Sequence, residues 1–213
     1  SNDQQPLSLG QFIELFYRGI EDEQQAVVGG LIHYKAYSNI SLEKRIEFCK
    51  GVILAHNNLI RIKNYNEREL NFSYDHIKRR LDVSNNPWIH TALILQNFPA
   101  TAADLSKTGI NNFICFRNQP LKALNVSRTI IIELNTLENY DLLSLNLSHT
   151  SVSNLSRLRE MSLRVLNLSH SSVRSYGVLK DLQTLEKLTI HQGQFDVELL
   201  KKMLPNTEII LEL

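Results

Sequence analysis

Apolar and polar positions recur with a fixed period in the second half of the chain. From Leu142 the residues run Leu-Leu-Ser-Leu-Asn-Leu-Ser-His-Thr-Ser-Val, and from Leu163 they run Leu-Arg-Val-Leu-Asn-Leu-Ser-His-Ser-Ser-Val, a spacing of 21. The same step backwards reaches Leu121 and then Ala100, and a step of 22 forwards reaches Leu185, so five consecutive units share one register. The fourth position is Ala103, Leu124, Leu145, Leu166 and Leu188; the sixth is Leu105, Val126, Leu147, Leu168 and Ile190; the eleventh is Ile110, Ile131, Val152, Val173 and Phe195. Alternation at positions four and six predicts a short strand with one face inward, because successive strand side chains point to opposite faces. A later cluster, Leu155 with Leu158, then Tyr176, Leu179 and Leu182, has the spacing of a helical turn packing back on that strand. Each unit is therefore a strand plus a return element.

The pattern Leu-x-x-Leu-x-Leu-x-x-Thr-x-Val followed by Leu-x-x-Leu resembles a leucine-rich repeat over residues 100–206, roughly half the chain. Its wording is most similar to short bacterial repeats, of the internalin type and of arrays attached to serine/threonine kinases in planctomycete-like bacteria. The usual ninth-position Asn is replaced here by Thr108, Thr129, Thr150, Ser171 and Gly193. A hydroxyl still bonds backbone in the turn, but glycine does not, so the solenoid is expected to loosen near its end. Leu204–Leu213 reads as a closing half-repeat whose strand covers the sheet edge.

The first hundred residues lack this repeat and show helical spacing. Phe12, Ile13, Leu15, Phe16 and Ile20 predict one helix, and Val27, Val28, Leu31 and Ile32 predict a second over 26–37. Ser41 caps a third, with Glu43 in its first turn and Ile46, Phe48, Cys49, Val52 and Ile53 apolar. Pro87 opens a further helix over 88–97 before Pro99. The stretch from Leu59 to Trp88 bears a faint resemblance to a tetratricopeptide helix pair, the alternative being a helical bundle that caps the first repeat. The fold class expected is thus α+β: an all-helical cap region over 1–99, then over 100–213 a short right-handed leucine-rich-repeat solenoid of about five repeats plus a closing strand, with a parallel β-sheet on its concave face.

Composition narrows the function. The chain of 213 residues is 43% hydrophobic and carries 23 Lys+Arg against 22 Asp+Glu, a balance that offers no footprint for nucleic acid. The basic triplet Lys78-Arg79-Arg80 is offset by Glu67, Glu69, Asp75 and Asp82 and reads as a solvated helix face. No apolar run is long enough to span a membrane. Residues 1–6 lack the basic and apolar regions of a secretory leader, so the cytoplasm is the expected compartment, with a secreted form whose leader has been removed as the alternative. The two cysteines, Cys49 and Cys115, match no metal or redox motif and read as reduced core residues.

Stacked repeats place equivalent side chains on adjacent strands, roughly 4.8 Å apart. The fifth-position column is Asp104, Asn125, Asn146, Asn167 and Thr189; the eighth is Lys107, Arg128, His149, His170 and Gln192. With Lys187 from the last unit, the residues Lys107, Asn125, Arg128, Asn146, His149, Asn167 and His170 form the candidate partner-binding concave face, its basic-to-imidazole column suited to acidic contacts. The competing explanation for the Asn and Ser ladders is that small polar residues suit a curved, solvated face. His191 falls by register in the Ser column. His149 and His170 bring no third ligand, so neither metal nor cofactor is expected. Asn-x-Ser triplets at Asn125, Asn146 and Asn167 follow from the strand pattern rather than from glycosylation. There is no Gly-rich phosphate loop, His-Glu-x-x-His, Gly-x-Ser-x-Gly or kinase motif. The expected function is a non-enzymatic module that binds a protein or peptide; the resemblance implies, as the alternative, a regulatory or structural carboxy-terminal appendage of a larger bacterial protein such as a serine/threonine kinase.

Overall fold

The computed structural model describes residues 41–63, 70–89, 95, 98–113, 116, 119–137 and 140–213. The helices expected over 12–20 and 26–37, most of that expected over 88–97, and Cys115 lie outside these residues. Two compact units divide the chain. The first contains helix α1 (Leu42–Lys63), which starts where its sequence predicts: the Lys44 amide donates to Ser41 Oγ at 3.4 Å and Glu43 sits in the first turn. Ile46, Cys49 and Ile53, at helical spacing, are buried. Asn57 closes the unit locally by accepting from the Leu70 amide at 2.8 Å and donating to the Leu70 carbonyl at 3.0 Å.

The second unit is built on one sheet of eight strands in sequence order: β1 (Ser73–Asp75), β2 (Arg80–Asp82), β3 (Ala102–Asp104), β4 (Ala123–Asn125), β5 (Ser144–Asn146), β6 (Val165–Asn167), β7 (Lys187–His191) and β8 (Glu208–Glu212). Every pair is parallel except β1 with β2, which form an antiparallel hairpin. Return elements are short 3-10 turns at Asn135–Leu137, Ser156–Leu158 and Leu179–Asp181 and, in the last repeat, helix α2 (Val197–Met203), capped by Asp196. The strand register reproduces the sequence columns: Leu81, Ala103, Leu124, Leu145, Leu166 and Leu188 stand side by side and are at most 4% exposed. Burial of each leucine stabilises the stack by about 1.5–3 kcal/mol, so the core is a series of layers along one axis.

Two expectations are corrected. Residues 73–82, expected to be helical, form the β1–β2 hairpin, and Lys78 and Arg79 occupy its turn with Arg80 opening β2. Pro87 and Trp88 form a turn rather than a helix start. The reason is an additional unit, Leu81-Asp82-Val83-Ser84-Asn85-Asn86, which pairs in register 22 residues before Ala103-Asp104-Leu105. Its ninth position holds the asparagine that the other units lack. Asn86 is fully buried, donates to the carbonyls of Val83, Ser84 and Asn71, and accepts from the Asn71 amide. The later units use a hydroxyl for one of these bonds: Thr108, Thr129 and Thr150 each donate to the carbonyl three residues earlier at 2.7 Å.

The end of the array is not loosened. Beside Gly193 (φ +80°), buried Gln194 donates to the Leu168 carbonyl at 3.0 Å and the Val173 carbonyl at 3.2 Å and accepts from the His191 amide at 3.0 Å. One amide side chain thus crosses to the preceding unit, and β7 and β8 pair over all five residues.

Candidate functional site

On each short strand the central residue is buried and the residues flanking it are half-exposed, so third and fifth positions line the solvent-facing sheet surface. The third positions are small through the middle of the sheet: Ala102, Ala123, Ser144 and Val165. At the fifth positions, Asp82, Asp104, Asn125, Asn146 and Asn167 each accept from the amide two residues on at 2.9–3.1 Å. That bond turns the chain out of the strand. Asn125, Asn146 and Asn167 are therefore turn-forming residues first, with only part of each amide presented to solvent.

The turn that follows is repeated closely. Asn85, Lys107, Arg128, His149 and His170 all have φ between +54° and +61°. For non-glycine residues this left-handed backbone is uncommon, and Lys and Arg lack the local side-chain bonding that makes Asn tolerant of it. The amides of Lys107, Arg128 and His149 donate to the carbonyls of Ser127, Ser148 and Ser169 at 2.9–3.0 Å, which extends the ladder past the strands and fixes the turns at strand spacing.

From Arg128 onwards the side chains form a continuous row. Arg128 Nη2 lies 3.1 Å from His149 Nε2; the His149 and His170 rings stack at 4.5 Å with planes 12° apart; His170 and His191 follow at 4.0 Å and 37°. His191 thus joins the imidazole row although its register is that of the Ser column, because β7 runs on to His191 and its ring reaches that of His170. Its Nδ1 is buried without a hydrogen-bond partner. From β8, Glu212 crosses the sheet surface to accept from Ser169 Oγ and from Asn167 Nδ2. Burial holds the His149 imidazole below its ordinary pKa, Arg128, His170 and His191 push it further the same way, and Glu212 opposes them.

Lys107, Arg128, His149 and His170 therefore share one edge of the sheet, whereas Lys187 lies on the strand surface, where its Nζ is 3.7 Å from Glu208. At the opposite end Arg80 reaches Asp104 at 3.4 Å, and Asp104 also accepts from Asn125 Nδ2 and Ser106 Oγ. His191, Glu212, Arg80 and Asp104 complete the surface and were absent from the sequence-derived set. The acidic strand residues could have been found by aligning Asp82 and Glu212 with the fifth and seventh columns. Among the described residues no three His, Cys, Asp or Glu side chains are placed to hold a metal ion, and no helix is long and apolar enough to cross a membrane.

No protein-family model matches the chain, and no curated protein sequence matches it. Among the solved structures similar to it are two internalins. An internalin (inlF) from Listeria monocytogenes is 16% identical with a TM-score of 0.48, over 74% of this chain and 54% of that one. An internalin C2 (inlC2) from the same species is 18% identical with a TM-score of 0.48, over 62% of this chain and 69% of that one. The chain thus spans about half the length of the first, 54%. The repeated columns, the parallel sheet and the return turns make its second unit a leucine-rich-repeat solenoid.

Proposed function

We propose that the chain is a non-enzymatic protein-protein interaction module whose partner, a protein or peptide, lies on the solvent-facing sheet surface and its turn edge. The observation that carries this reading is the left-handed backbone of four successive turns, each occupied by a lysine, arginine or histidine. Asparagine or glycine would relieve the strain at each turn, as Asn85 does in the first, so the long side chains of Lys107 and Arg128 are held there against local preference. Small third positions leave the adjoining sheet open to an incoming chain. The proposal also keeps the division into an amino-terminal helical region, expected over 1–99, and a solenoid, expected over 100–213, with the β1–β2 hairpin of Ser73–Asp82 counted with the solenoid because it pairs into the sheet.

Site-specific photo-crosslinking tests it. A crosslinker at Ser144, on the strand surface, is expected to capture the partner that a crosslinker at exposed Ser156, in a return turn, does not. Capture should fall on Lys107→Glu with Arg128→Glu. Capture from Ser156 alone, or capture indifferent to the charge reversal, overturns the reading.

A further inference from the structure

The edge row has cations without counter-ions. Lys122, Arg164 and Lys187 each pair with a carboxylate one repeat on, Asp141, Glu186 and Glu208. Lys107 and Arg128 have no such carboxylate among the described residues; the Arg128 guanidinium is directed at an imidazole instead. The groups that face the imidazole row are Arg128 at one end and Glu212 at the other, and Glu212 is already engaged by Ser169 and Asn167.

Spacing points to the missing counter-ion. From Lys107 to His170 the edge covers three strand steps, roughly 14 Å at about 4.8 Å each, and two same-side steps of an extended peptide cover roughly the same distance. Alternate acidic residues on an extended segment therefore match this edge from end to end. A carboxylate arriving beside His149 or His170 replaces the opposite charge that the row lacks and favours their protonated forms, so binding takes up protons.

We infer that the turn edge of Lys107, Arg128, His149 and His170 binds an extended segment bearing alternate carboxylates, and that it grips this segment more tightly as the pH falls. This deepens the interaction reading above and rests on it. Lys107 and Arg128 supply the charge throughout; the bound carboxylates work against the burial and the Arg128 charge that hold the His149 imidazole low, while Glu212 confines the acidic segment to the side away from His191.

The test is fluorescence anisotropy of a labelled alternating Glu-Ser peptide on the full chain, at moderate salt. The expected result is roughly tenfold tighter binding at about pH 5.5 than at about pH 7.5, where glutamates stay ionised throughout. His149→Asn with His170→Asn, a pair that suits left-handed backbone, should abolish the pH dependence; Lys107→Gln with Arg128→Gln should weaken binding at both pH values and keep the ratio. Circular dichroism confirms that each variant is folded. Binding that does not change with pH, a ratio that survives the histidine substitutions, or tighter binding of a single-stranded oligonucleotide of equal charge overturns the inference. If affinity is flat with pH while crosslinking from Ser144 persists, the proton dependence falls and the interaction reading stands.

Discussion

The side-chain amide of Gln194 donates to the carbonyl oxygen of Leu168, one repeat back, at 3.0 Å, which couples the last two units through a buried bond. Gln194→Leu removes one donor each from the Leu168 and Val173 carbonyls, which keep the Ser171 amide and the Arg174 guanidinium, and takes the acceptor from the His191 amide, so it should cost about 2–3 kcal/mol. Thr150→Val removes a single donor from the Leu147 carbonyl and should cost about 1 kcal/mol. Denaturant unfolding of the two variants checks the order; equal losses would show that Gln194 does not tie the repeats.

At Arg128 stability and recognition are expected to oppose one another. Arg128→Gly relieves a φ of +57° and should stabilise the chain by up to about 1 kcal/mol, whereas Arg128→Val, β-branched at the same backbone, should destabilise it. The same glycine variant should lose partner capture. Chemical denaturation and capture, measured on one preparation, separate the two effects.

The hairpin turn carries a pH-dependent lock. Exposed Asp75 accepts from the amides of Ile77 and Lys78, both at 2.9 Å, and the Lys78 bond leads in holding its carboxyl below the ordinary value. A lowered folded pKa means that the contribution is present above the unfolded value of about 3.9 and is lost as the pH falls through the folded value. Amide proton shifts of Ile77 and Lys78 should titrate together with a midpoint below about 3.9, and Asp75→Asn should remove the titration.

Cys49 is expected to be inert. Burial pushes its thiol up to about 12 against the weaker pull of Arg45, so thiolate is scarce near neutral pH. Peptide mapping after iodoacetamide at about pH 8 should find Cys49 unmodified in the folded chain and modified in denaturant; labelling without denaturant would contradict its buried placement.

The parallel sheet was legible because its cause, a column of identical apolar side chains, is written once per repeat. Leu124, Leu145 and Leu166 stand where the spacing puts them. The first unit is not legible in the sequence because Lys78 stands in place of its leading leucine and Arg79-Arg80 resembles a helix surface, while its core residue Leu81 is registered only through pairing with Ala103. At the site, register located Lys107, Arg128, His149 and His170 but could not tell that Asn125, Asn146 and Asn167 are spent on the turn. Nor could it place His191, because a column assigns a strand position and leaves the reach of the ring undetermined.

The antiparallel β1–β2 hairpin bears on how such an array changes in length over evolution. A duplicated unit of 21 residues adds to the sheet only by pairing parallel, and β1 presents a strand of the opposite sense. Copies can therefore be inherited between β2 and β8 but not ahead of β1. Every lengthening would add left-handed turns to the row that holds Lys107–His170, so the proposed binding edge would grow in the same steps as the scaffold.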